Sequence, residues 1–320
     1  MPVARRAALA LLTMLPAAAR AQGGAWNPTG PVRVVVPQPP GASMDLVARQ
    51  LAQVLQADFG QPVAVENRTG AGTLVGTEAV ARAAPDGHTV LIAANSFIIN
   101  AALRPALSYD PLRDFVPIAL LTVVPHVLVA HPRVASDFAG LLEAARRPGA
   151  GLSFGSYGTG TSNHIGAEQL KLLAGLNTTH VPYRGAQAEV DLLAGRIEFM
   201  LANLPNVLQP VAAGQIKPLA IAAPRRSSGL PEVPTLAELG FPILSDSWFG
   251  VVAPAGLRPE AAARHSAAWL AALNRPEIRA DFERRGLEVL GIGPAEFADR
   301  LRRDLATYTE VVRAANIKPE

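Results

Sequence analysis

The segment Ser156-Tyr157-Gly158-Thr159-Gly160-Thr161-Ser162-Asn163-His164 gathers hydroxyls, glycines, an amide and an imidazole along one short stretch. Its glycines permit close backbone approach, and its hydroxyls can donate hydrogen bonds. Ser162 or Asn163 is suited to open a helix while N–H groups point outward. Such a helix start attracts anions. The stretch Pro39-Pro40-Gly41-Ala42-Ser43 has the same placement after a strand and before a helix. Two helix N-termini facing each other across a cleft would hold a carboxylate without Arg or Lys, each contributing about 0.3–1 kcal/mol. Read without a ligand, both stretches are well-formed turns.

Other chemistry is weaker in the residues. Ser156 sits one residue off a G-x-S-x-G elbow, because Phe154 stands where the first glycine belongs. The enzyme alternative is a Ser/His hydrolase with Ser156 or Ser162 as nucleophile and His164 as base, although no carboxylate is paired with that histidine in the sequence. The histidines His88, His126, His131, His164, His180 and His265 are dispersed, so no metal site is expected. Gly70, Gly72 and Gly76 imitate a dinucleotide fingerprint, but the third glycine falls one position late and the loop follows the second strand. No cofactor is expected.

The elements that must position these residues alternate short β-branched runs with longer amphipathic stretches, the pattern of an α/β chain with mostly parallel sheets flanked by helices. Residues 32–36 read as the first strand and 44–55 as a helix with Leu46, Val47, Leu51, Val54 and Leu55 at helical spacing. The unit repeats with a strand at 63–66 and a helix at 74–83. A strand at 90–93 then leads into a loop containing Asn95, Ser96 and Phe97. A second set of strands and helices runs from a strand at 127–129 to one at 216–222. A further strand near 248–252 precedes three helices opened by Pro259, Pro276 and Pro294, each suited to a first helical turn. Those helices have no sheet of their own and are expected to fold back on the first lobe. Asn95, Ser96 and Asn203, at strand ends on the cleft side, are candidates for sorting ligands.

The chain has 320 residues, 49% hydrophobic and 17% charged, with a net charge of +3. Its basic residues are scattered, which argues against nucleic-acid binding. Arg5 and Arg6, the apolar run 7–15 and the small-x-small site Ala19-Arg20-Ala21 describe a secretory signal peptide over 1–21. There is no cysteine, so neither disulfides nor an N-terminal lipid anchor is available. A freely diffusing, monomeric periplasmic protein is the expectation.

Taken in order, several fragments resemble the Bug-type extracytoplasmic receptors of tripartite tricarboxylate transporters. They include Pro39-Pro40-Gly41 ahead of Asp45, Asn67-Arg68-Thr69-Gly70-Ala71-Gly72 and Ala84-Pro85-Asp86-Gly87-His88-Thr89. Further along come Gly158 through His164, His180-Val181-Pro182-Tyr183-Arg184-Gly185, Val233-Pro234-Thr235 and Trp248-Phe249-Gly250. The resemblance implies a two-lobed type II periplasmic-binding-protein fold without catalysis, and a hinge of two crossing segments, here near 121–125 and 245–249. The lobes would be 22–124 with 246–320, and 125–245. It also implies a carboxylate ligand held by the first loop, with Pro39, Gly41, Ala42 and Ser43, and by the second-lobe loop, with Ser156, Gly160, Thr161, Ser162 and Asn163. Membrane transporter subunits would be the partners. Ala42 stands where the family commonly has a second glycine, and Thr73 replaces a third glycine in the Asn67 loop. The Ala42 methyl is expected to narrow the approach to the carboxylate.

Overall fold

The computed structural model describes residues 26–183 and 187–319. The expected signal peptide, the Arg184-Gly185 fragment and Ala186 lie outside the described residues. The chain opens with β1 (Val32–Val36), α1 (Ser43–Phe59), β2 (Val63–Asn67), a 3-10 turn at Ala71–Thr73, α2 (Leu74–Ala81), β3 (Thr89–Ala94) and α3 (Asn95–Leu103). The long β4 (Phe115–Ala130) follows, then α4 (Phe138–Arg146), β5 (Ser153–Ser156), α5 (Ser162–Ala174), β6 (Thr179–Pro182), α6 (Gln187–Leu193), β7 (Phe199–Asn203), α7 (Leu204–Ala212) and β8 (Lys217–Ile221). Last come β9 (Asp246–Pro254), α8 (Pro259–Leu273), α9 (Pro276–Arg284), β10 (Glu288–Ile292) and α10 (Pro294–Ala314).

The strands form two half-sheets that share β4. In the first, β2, β1 and β3 are parallel, while β9 runs antiparallel between β3 and β4, and β10 pairs antiparallel with β4. In the second, β6, β5 and β7 are parallel, and β7 and β8 are both antiparallel to β4. The sheets are therefore mixed rather than mostly parallel. Helical crossovers join the outer strands, whereas β4 and β9 pass between the lobes in opposite directions.

Side-chain alternation explains why each half-sheet carries helices on both faces. Val34, Val36, Val90 and Ile92 bury into one core with Leu51 of α1 and Trp269 of α8, while Val35, Leu91 and Ala93 bury into another with Phe97 of α3 and Phe297 of α10. The second lobe repeats this with Leu128, Phe199 and Leu201 on one face and Val127, Val129 and Met200 on the other. Strands buried on both faces lose the polar alternation and read as continuous apolar runs.

The expected strand at 127–129 is the last part of β4, whose sixteen residues cross from one half-sheet to the other. Pro117 and Pro125 resemble breakers in the sequence. Pro117 lies at a register shift, and Pro125 is the last partner of β9 before His126 starts pairing with β7. A proline without an N–H fits where ladder bonds are exchanged. The 95–97 loop is instead the first turn of α3, a helix with little polar periodicity because Asn95, Phe97, Ile98, Ile99 and Asn100 are all buried. The C-terminal helices also bring a strand, β10, that the sequence reading lacks.

Candidate functional site

A cleft of about 600 Å³ lies between the half-sheets. Four helices begin at its wall: α1 behind Ala42, α3 behind Ala94, α5 behind Thr161 and α7 behind Asn203. None of these four starts is closed by a side chain bonded to its first-turn N–H groups. The first N–H groups of a helix have no intrahelical partner, so they are left to whatever fills the cleft. No Asp, Glu, Lys or His lines it, and Arg285 is its one charged side chain among the described residues.

The sequence predicted twelve site residues, and nine line the cleft: Ala42, Ser43, Asn95, Ser96, Gly160, Thr161, Ser162, Asn163 and Asn203. Pro39, Gly41 and Ser156 do not. Pro39 accepts a hydrogen bond from Ala42 N–H at 3.2 Å, and Gly41 takes φ 82°, as the third residue of such a turn requires when Pro40 precedes it. The Gly41 N–H is engaged by Asp45 Oδ2 at 2.8 Å. Burial pushes the Asp45 carboxyl up, but hydrogen bonds from Arg49, Gly41 and Asn67 outweigh it and hold the group below the usual carboxylate range. Pro39 and Gly41 therefore build the loop, while Ala42 and Ser43 face the cleft. Ala42 itself has φ −67°, a conformation any residue adopts, so no glycine is needed there. Thr73 is different, with φ 81° in the left-handed region and its Oγ1 donating to Ser96 Oγ at 3.1 Å.

Ser156 is fully buried behind the second loop. Its Oγ lies 2.7 Å from His180 Nε2 and donates to Gly158 O at 3.1 Å. His164 accepts the Gly160 N–H on Nδ1 at 3.0 Å and stacks on His180 with ring centroids 3.6 Å apart. Neither serine of the hydrolase alternative meets His164 at hydrogen-bond distance, so that alternative lacks its nucleophile–base contact. Desolvation lowers the His164 pKa to about 3, with the His180 ring and Lys171 adding to it. The imidazole is neutral and serves to pin the Gly160 backbone.

Several polar side chains in the wall are committed inward. Asn95 Nδ2 donates to Asp246 O at 3.1 Å, and its Oδ1 accepts the Trp248 N–H at 2.8 Å, so the amide staples α3 to β9. Asn163 Nδ2 donates to Leu201 O at 2.9 Å, and its Oδ1 accepts from Thr161 Oγ1 at 2.6 Å. Asn203 Oδ1 accepts from Ser247 Oγ at 3.5 Å. Ligand sorting by the Asn95 amide is therefore corrected to a structural role, because both of its ends are occupied.

Residues that sequence reasoning missed include Gln38, Tyr157, Asn206, Ser247 and Arg285. Tyr157 lies inside the loop already singled out. Its OH donates to Glu189 Oε1 at 2.7 Å and accepts the Asn203 N–H at 2.8 Å, tying the loop before α5 to the start of α7. Burial, then the nearby Glu189 carboxylate, push its phenol far above the ordinary range. Arg285 follows a densely charged helix end and carries no local motif.

The comparisons agree with this geometry. A model described as the tripartite tricarboxylate transporter family receptor matches residues 47–316. Protein BugT of Bordetella pertussis is 39% identical over 239 residues, covering 73% of each chain. Among solved structures, Rpa4515 of R. palustris with adipate is 31% identical with TM-score 0.74, over 92% of this chain and 99% of that one. MatC of Rhodopseudomonas palustris with bound malate is 30% identical with TM-score 0.70, over 89% and 99%. With its two lobes, shared crossing strands and cleft of open helix starts, the chain belongs to the Bug-type receptor family of tripartite tricarboxylate transporters.

Proposed function

We propose that this chain is a periplasmic receptor that closes its lobes, 22–124 with 246–320 and 125–245, around a small carboxylate and presents it to a tripartite membrane transporter. The observation that carries the reading is the convergence of four uncapped helix starts on one cleft whose lining holds no acidic side chain. The two similar structures with adipate and malate hold dicarboxylic acids, which supports the same ligand chemistry here. Ligand contacts come from the backbone at Ala42 and Ser43 and at Gly160, Thr161, Ser162 and Asn163, with the Ser96 hydroxyl and the Asn203 amide beside them. Export through the 1–21 leader is part of the reading. Among the described residues no helix is long and apolar enough to cross a membrane.

Magnitudes set how the binding energy divides. Micromolar affinity corresponds to about 8 kcal/mol. Four helix dipoles at about 0.3–1 kcal/mol each supply at most about half of that. Hydrogen bonds, apolar contact and lobe closure supply the rest, and closure follows from contacts made only in the closed state. Thermal stabilisation of the mature chain against mono-, di- and tricarboxylates and neutral amides tests the reading. A ligand at one hundred times its dissociation constant adds about 2.7 kcal/mol. A shift confined to acids is the expected result, and equal response to the neutral amides would reject it.

A further inference from the structure

Arg285 has no task in the carboxylate site built from helix starts, yet it lines the same cleft from the turn between α9 and β10. Its Nε donates to Asp281 Oδ2 at 2.7 Å, one helical turn back, which orients the planar fork. Asp281 also accepts from Arg284 at 2.8 Å, so this carboxylate faces two guanidinium groups and the cluster keeps a positive charge. Among the described residues the Nη atoms of Arg285 make no hydrogen bond. Arg284 shares the helix end and the carboxylate but does not line the cleft.

The neighbouring residue fixes where that fork stands relative to the second lobe. Gly286 has φ 76°, and a Cβ built on it would lie 2.1 Å from Pro205 Cγ, at the start of α7. The turn that carries Arg285 therefore presses directly on one of the four helix starts. Leu287, which follows, also lines the cleft. Bringing the lobes together brings the fork toward whatever those N–H groups hold.

We propose that Arg285 reads a second anionic group on the ligand, so that the cleft prefers a dicarboxylate over a monocarboxylate of equal length. This rests on the carboxylate reading above and adds to it the side chain that sets specificity. The N–H groups of the helix starts take one carboxylate, and the guanidinium fork pairs with the other, a geometry in which Lys substitutes poorly.

Calorimetric titration of the purified mature chain tests this with succinate, glutarate and adipate against butyrate, valerate and hexanoate. The wild-type chain binds its preferred dicarboxylate about tenfold or more tightly than the matched monocarboxylate. Arg285→Gln brings that ratio close to one while monocarboxylate affinity stays within about twofold, and Arg285→Lys recovers part of the ratio. Melting of the ligand-free variants establishes that each is folded. If Arg285→Gln lowers the melting temperature but preserves the ratio, Arg285 serves only the end of α9 and the proposal is overturned. Wild-type binding of monocarboxylates with no gain from the second carboxylate overturns it while leaving the carboxylate reading intact. Failure of every acid to bind overturns both.

Discussion

His126 shows how much of this site is internal support. Its Nδ1 lies 2.8 Å from Ser245 Oγ and its Nε2 lies 3.2 Å from Ser247 Oγ, so one ring joins the two segments that pass between the lobes. Desolvation lowers its pKa to about 4, and burial also lowers His265 to about 4 and His164 to about 3. The sign follows from proton binding. The unfolded chain protonates these rings near pH 6.5, whereas the folded chain resists down to about pH 4 or below. Their stabilisation is complete above pH 6.5 and is lost as the pH falls through that interval, by about 1.4 kcal/mol per pH unit for each ring. Urea denaturation at pH 7, 5.5 and 4.5 should show this decline, and a flat profile would mean that the rings are not neutral in the fold. The sequence made these histidines visible but not their roles, because a dispersed histidine looks the same whether it is buried or exposed.

Four helix starts, with one charged side chain among them, line the cleft. Two of the four, before α1 and α5, were legible from Pro-Gly and Ser-Thr-Gly stretches between a strand and a helix. The α3 start was hidden because its helix is buried on most sides, and Asn203 was named without its role as the residue before α7. The α5 start offers a clean substitution. Ser162 is its first helical residue, and Thr161 before it has φ −77° and ψ 160°, which a following proline accepts. Ser162→Pro therefore keeps the helix while deleting one N–H at the cleft wall. Affinity for a bound acid should fall about tenfold or more, with little loss of thermal stability. Unchanged affinity by calorimetry would remove the α5 start from the anion site.

For the molecule as a whole, the lobes meet at two glycines flanking the cleft. Gly286 packs directly on Pro205, and a Cβ on Gly160 would lie 2.5 Å from Leu103 Cδ1 of α3. Both are backbone surfaces that a side chain would push apart. Leu103→Trp adds bulk at the second contact without altering a positive-φ glycine. It should hold the lobes open, raise the radius of gyration in small-angle scattering with ligand present, and weaken binding about tenfold. A variant that compacts on ligand as the wild type does would show that this contact does not limit closure. The crossings themselves combine stiffness and change of partner, since β4 stays a strand while exchanging β9 for β7 at Pro125 and His126.

The sequence alone determined the α/β pattern, the family and two cleft-facing loops, because hydrophobic period, turn residues and helix-start chemistry are local properties that neighbours in the chain express together. Tertiary structure decided the rest. It used both ends of the Asn95 amide, buried Ser156 against His180, ran β4 through two prolines, and brought Arg285 to the cleft from a turn far along the chain. Each depends on which distant groups compete for a hydrogen bond or fill a gap, and that competition is resolved only when the sheets and helices have packed.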